Sequence, residues 1–128
     1  MRLISVALLA FFGASAANAQ EPVIACHAKY HTSTQMKDEA PGMLGAFKNR
    51  PCIHAIHISG IGARAPSKGG IVRMEFVERP RHGKVRAENR AAFVYRPDKD
   101  FAGADNMLVR FHMKSGKAMS IRFAITVS

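Results

Sequence analysis

Residues 80–105 alternate, turn, alternate and turn again, a rhythm that restricts the chain to strands joined by tight turns. Pro80 and Gly83 bracket the first turn, because proline fixes φ and glycine tolerates the values that close turns need. Gly83–Ala87 reads as a short strand. Glu88, Asn89 and Arg90 have turn composition, with Asn89 suited to a left-handed conformation. Ala91–Arg96 reads as the returning strand of a hairpin. Phe93 and Tyr95 fall on one of its faces, since strand side chains alternate. Pro97 ends it, being unable to donate to a central ladder. Phe101 is expected to plug the core from a loop, and Gly103 to allow the turn into the next strand.

The same period recurs along the chain. Over Asn106–Lys114 it places Met107, Val109, Phe111 and Met113 inward, and Leu108, Arg110, His112 and Lys114 outward. Ser115-Gly116 is a hairpin turn, and the arm from Lys117 to Ser128 turns Met119, Ile121, Phe123, Ile125 and Val127 inward. Ile71–Arg79 puts Val72, Met74 and Phe76 on one face and Ile71, Arg73 and Glu75 on the other. Glu21–His31 is a first strand and Cys52–Ser59 a largely apolar one. Residues 32–51 follow neither the helical nor the strand period. Ser33 and Thr34 suit the cap of a helical turn through Gln35–Glu39, which Pro41-Gly42 would end. The segment is predicted to be a long loop folded back on the domain, and Gly60–Gly70 a flexible connection. About seven strands with no long helix predict an all-β chain, a single-domain antiparallel β-sandwich of the Ig-like kind.

The pattern Pro-x-His-Gly-x-Val, followed by Phe-x-Tyr-x-Pro-x-x-x-Phe-x-Gly-x-Asp and an alternating strand, resembles the bacterial Ig-like (cadherin-like) repeats of secreted and surface proteins. Pro80, His82, Gly83, Val85, Phe93, Tyr95, Pro97, Phe101, Gly103 and Asp105 occupy the matching positions. The resemblance covers residues 80–127 and implies the sandwich fold and a spacer or adhesive role, while a sandwich as such hosts many roles. Such repeats usually stand in tandem in long acidic chains. This chain has one copy, a net charge of +10 and a cysteine pair outside the matching region.

Residues 1–19 read as a secretory signal peptide: Arg2, an apolar run from Leu3 to Phe12, and a small-x-small cleavage site at Ala17-Asn18-Ala19. The run is shorter than the roughly 20 residues of a membrane span. The expected mature domain is 20–128, exported to the periplasm or beyond the cell. Without Arg2 it carries 18 Lys and Arg against 9 Asp and Glu, a net charge of +9. Residues 20–49 are neutral, so the whole excess lies in 50–128. In an exported domain, Cys26 and Cys52, the only cysteines, predict a disulfide. It would close a loop of roughly 25 residues and contribute about 3–4 kcal/mol through the unfolded state.

The basic surface is the leading functional signal. Arg110, His112 and Lys114 project from one strand, Arg122 from its hairpin neighbour, and Lys117 from near their turn, and opposite charges are expected barely to interrupt this face. Like charges across strands repel, so such a cluster is explained by attraction to a polyanion. Lipopolysaccharide phosphates, acidic exopolysaccharide, anionic lipid head groups and extracellular DNA are the candidates. Arg79, Arg81, Lys84, Arg86, Arg90 and Arg96 form a second basic region around the first hairpin. Sequence-specific nucleic-acid recognition is not expected, since no recognition helix or aromatic stacking platform is legible.

Six histidines raise a metal reading. His27 and His31 share a face but lie ~13 Å apart on a regular strand, whereas His54 and His57 have opposite parity. A site would need the disulfide to draw His27, His31 and His54 or His57 together. No motif of structural-zinc spacing is present. Asp98, Asp100 and Asp105 lack the dense oxygen-ligand pattern of a calcium loop. Asp105 instead suits the acceptance of backbone hydrogen bonds at a strand start. No nucleophile elbow, zinc-protease motif or phosphate loop appears, so neither catalytic residues nor a cofactor are expected. The prediction is a non-enzymatic binding module of the cell envelope. A protein-interaction or adhesion module using the 32–51 loop or a sheet edge is the alternative, and a periplasmic metal binder the next.

Overall fold

The computed structural model describes residues 22–30, 39–56 and 70–128. The proposed signal peptide, the 32–38 part of the expected loop, residues 60–69 of the expected connection, and His31 and His57 lie outside the described residues. Nine strands run in chain order: β1 (Ile24–Ala25), β2 (His27–Tyr30), β3 (Glu39–Ala46), β4 (Cys52–Ala55), β5 (Ile71–Glu78), β6 (Gly83–Asn89), β7 (Ala92–Pro97), β8 (Gly103–Met113) and β9 (Ala118–Val127). They form a four-stranded sheet A, ordered β1-β4-β7-β6, and a five-stranded sheet B, ordered β2-β3-β9-β8-β5. The two pack as a β-sandwich, as the alternation predicts.

Two differences raise the strand count from seven to nine. First, the N-terminal segment is two strands, not one. β1 pairs parallel with β4 in sheet A, and two residues later β2 pairs antiparallel with β3 in sheet B. Cys26 stands at the crossing and is joined to Cys52 at the start of β4, with Cα atoms 4.9 Å apart. A strand that changes sheets also changes the side it buries, so no single inward face runs through this segment. Second, residues 39–46 are not loop. They are β3, which lies between β2 and β9 and pairs parallel with β9 along its whole length. Pro41 and Gly42 sit inside the strand. The inward residues of β3 are Ala40, Gly42, Leu44 and Ala46, so only Leu44 is large. A Cβ on Gly42 would come within 2.8 Å of the Ile121 side chain and 3.2 Å of Phe123. Small residues here let the big side chains of β9 fill the space, and that hides the strand from any reading by hydrophobicity.

The core is an aromatic cluster closed by aliphatics. Phe93 of sheet A and Phe123 of sheet B meet edge-to-face at 5.6 Å, a geometry favoured by ring quadrupoles. Tyr30 packs against Phe123 at 5.6 Å and Phe76 against Phe93 at 6.5 Å. Met107, Val109, Phe111, Ile121, Phe123 and Ile125 are at most 1 % exposed, in agreement with the expected inward parity. β5 keeps Met74 and Phe76 against the core as expected but departs from its expected face at Ile71 and Val72. Register shifts between Ile71 and Arg73 and between Phe76 and Glu78 bury Ile71 and leave Val72 and Val77 exposed. Each extra residue flips the local parity.

The residues that carry the family resemblance converge on one corner of the sandwich. Asp105, on β8 and 8 % exposed, accepts the Tyr95 hydroxyl of β7 at 2.9 Å and the backbone N–H groups of Arg81 and His82 at 3.0 Å. The Asn106 N–H adds a bond at 2.9 Å. Burial, followed by the hydrogen bond to Asp105, pushes the Tyr95 hydroxyl well above the usual tyrosine range. His82 stacks on Phe101 at 4.3 Å with rings nearly parallel. Gly83 lies so close to the Tyr95 ring that a Cβ would meet it at 2.7 Å. Gly103, at φ 134°, makes the expected turn. The motif thus ties sheet A, sheet B and the β5–β6 connection together. Asn89 is not left-handed; its side chain accepts the Ala91 N–H at 2.9 Å and closes the hairpin that way.

Candidate functional site

The outer face of sheet B carries the expected cluster, but not as free charge. Arg122 is held on both sides. Its Nε and Nη2 donate to Glu39 of β3 at 3.1 and 3.3 Å, and its Nη1 donates to Glu78 of β5 at 2.6 Å. His112 Nε2 lies 2.9 Å from Glu75 Oε1. Arg110 donates to Ser120 Oγ at 3.3 Å. Arg110, and Lys114 and Lys117 at the β8–β9 turn, have no carboxylate partner among the described residues. The expectation that acids barely interrupt this face is therefore corrected. The acids come from β3 and β5, remote in sequence, and only sheet order places them beside β8 and β9.

These contacts make the face acid-sensitive. The His112 hydrogen bond, aided by the charges of Arg110, His112 and Arg73, holds Glu75 below its ordinary 4.5. The Arg122 hydrogen bond does the same for Glu78. A carboxyl depressed on folding contributes stability that is present above its unfolded value and is lost as pH falls through the folded one. Melting temperature is accordingly expected to hold steady down to about pH 5 and to decline below it. A Glu75→Gln/Glu78→Gln variant should flatten that decline in a pH series read by circular dichroism. An unchanged acid limb would show that other groups cause it. The effect is small, because exposed pairs are solvent-screened.

The outer face of sheet A is built differently. β6 and β7 form the predicted hairpin, with Lys84 directly opposite Arg96 and Arg86 opposite Val94. Lys84, Arg86 and Arg96 all point to solvent. With Arg79 they rim a groove of about 440 Å³, whose apolar surface comes from Val23, Pro51, Pro80, Val85 and Val94. No acidic residue among the described residues lines it. Arg86 pairs with Glu88 on its own strand. Lys84 and Arg96 have no carboxylate partner among the described residues. Arg79 is fixed in place: its Nη1 donates to the Val85 carbonyl at 3.0 Å, and its guanidinium lies 5.4 Å over the Phe76 ring. At one end, Asn49 and Asp100 exchange hydrogen bonds at 3.0 and 2.8 Å and clamp the β3–β4 turn to the β7–β8 turn.

Of the candidate metal ligands, the two among the described residues, His27 and His54, do not converge. His27 lies on the outer face of sheet B, edge-on to Phe47 at 6.2 Å. His54 points between the sheets, where its Nε2 is 2.7 Å from the Tyr30 hydroxyl and its ring packs on Phe93. The two therefore occupy opposite sides of β2, because the crossing at Cys26 sets which side each residue faces. No group of three or more potential ligands clusters among the described residues. Nor is any helix among them long and apolar enough to cross a membrane. The second basic region around this hairpin was legible in the sequence; the Lys84–Arg96 register was not, since it depends on the shift between Ala87 and Asn89, nor was the apolar lining, since Val23 and Pro51 arrive from distant elements. In comparisons with known proteins, no family model and no curated protein matches the chain.

Proposed function

We propose that the protein is an exported, non-enzymatic binding module of the cell envelope that engages an anionic partner, on an Ig-like scaffold akin to the bacterial repeats its motif resembles. One observation carries the reading: Lys84 faces Arg96 across the β6–β7 ladder, with no acid among the described residues lining the groove they rim. Like charges directly opposite are destabilising in a sheet, and a bound anion relieves that repulsion. The groove face is favoured over the Arg110–Arg122 face, where Glu39 and Glu78 hold Arg122 and Glu75 holds His112. The disulfide supports export, since such bonds persist in oxidising compartments.

Binding of inorganic polyphosphate over a salt series tests the proposal. Affinity is expected to fall steeply between about 50 and 200 mM salt. Lys84→Glu/Arg96→Glu should lower it at least about tenfold, and Arg110→Glu/Arg122→Glu much less. Equal losses in both variants would make the charge a generic surface property. A docking strand at the β5 edge is the second reading, favoured by exposed Val72 and Val77, at 50 % and 39 %. Both valines sit at bulges, which interrupt pairing along an edge.

A further inference from the structure

The groove on sheet A combines two chemistries that a wholly hydrophilic polyanion does not use together. Its rim is cationic, and its interior is apolar. Val94 is 5 % exposed and forms floor, while Val23 is 47 % exposed and forms wall. An acidic polysaccharide or a nucleic acid backbone would satisfy the rim but would set polar groups against Val23 and Val94. The volume, about 440 Å³, falls in the roughly 300–1,000 Å³ range of sites that hold one small molecule. The charge is also placed for a head group. Lys84 and Arg96 stand side by side at one register position, and Arg79 spends one donor on the Val85 carbonyl. The remaining donors of a fixed, planar guanidinium suit phosphate oxygens.

We infer that the groove holds a phosphate-bearing membrane lipid, with its head group against Lys84, Arg96 and Arg79 and the proximal part of its acyl chain against Val94 and Val23. This rests on the anionic-partner reading above and narrows it to an amphiphile. An alkyl chain gains from the apolar surface it covers, about fourfold in affinity per buried methylene. The gain ends when the groove is full, so affinity levels off with chain length. A polymer bound by charge alone has no such dependence.

Calorimetric titration of the exported protein with inorganic phosphate, butyl phosphate, hexyl phosphate and octyl phosphate, with octyl glucoside as an uncharged control, tests the inference. Expected are rising affinity along the alkyl series, a plateau, and much weaker binding of the glucoside. Lys84→Glu/Arg96→Glu should abolish binding of the whole series. Val23→Ser, at an exposed position that leaves the core intact, and Val94→Thr should flatten the chain-length dependence while sparing inorganic phosphate. Equal affinity for inorganic and octyl phosphate would overturn the lipid assignment and leave the anionic reading standing. Octyl glucoside binding as well as octyl phosphate would overturn it as well, by removing the head-group role. Absence of binding by any phosphate, together with no response to polyphosphate, would overturn both.

Discussion

Asp105→Ala is expected to destabilise the protein by about 3–5 kcal/mol, the range of losses that follow from breaking a buried hydrogen-bond network. The carboxylate accepts the Tyr95 hydroxyl and the N–H groups of Arg81, His82 and Asn106. Hydrogen bonds to a charged acceptor are worth about 1.5–3 kcal/mol each. The loss stays below their sum, since the part-buried N–H groups can regain water. The Tyr95 hydroxyl cannot do so readily, because Tyr95 is 0 % exposed. Two graded variants check the mechanism. Tyr95→Phe removes one bond of the four and should cost about 1–2 kcal/mol. Asp105→Asn keeps the shape but presents an amide NH₂ where an acceptor is needed, and should fall between the other two. Urea unfolding reads all three. A loss under 1 kcal/mol for Asp105→Ala would mean that the corner does not hold the sheets together. The alkyl-phosphate affinities of any variant that still folds should be unchanged, since none of these side chains lines the groove.

Removing the disulfide is expected to cost about 3–4 kcal/mol, from the chain entropy released when a loop of this length opens. The bridged residues are 26 apart in sequence. For a domain near a hundred residues each kcal/mol moves the melting temperature by about 4–8 °C, so Cys26→Ser/Cys52→Ser should melt roughly 15–25 °C lower. The location adds to the effect. Cys26 is where the chain passes from sheet A to sheet B, and β1 has only two residues of ladder with β4. Without the bridge, β1 and the wall residue Val23 are held by little else. The variant should therefore also lose part of its chain-length dependence toward alkyl phosphates, at temperatures where it remains folded. A melting temperature within a few degrees of wild type would show that β1 and β2 are anchored by other contacts.

The legibility of the fold tracked the size of the side chains. β8 and β9 put large apolar residues on the buried parity and mostly polar or small ones on the other, so their faces were readable, and Phe93 and Tyr95 marked the inner face of β7 although Val94 lies on its outer one. β3 was not, because its buried side is Ala40, Gly42, Leu44 and Ala46, and Pro41-Gly42 carries the composition of a turn. β5 was readable as a strand with Met74 and Phe76 on its core face, but its register shifts were not, since nothing in Ile71, Val72 and Val77 marks which of them turns inward.

The candidate site divided along the same line. The sequence by itself determined the alternation, the basic excess, the only possible disulfide pairing and the presence of a hairpin over 83–96. Each of these is a local property, or one that counting settles. The tertiary structure decided which charges are free. Glu39 and Glu78 reach Arg122 from 83 and 44 residues away, and Val23 and Pro51 give the β6–β7 face its apolar floor. The reason is physical. Net charge is additive along a chain, but the potential at a surface depends on which strands the sheet order makes neighbours, and that order is fixed by packing of the whole core.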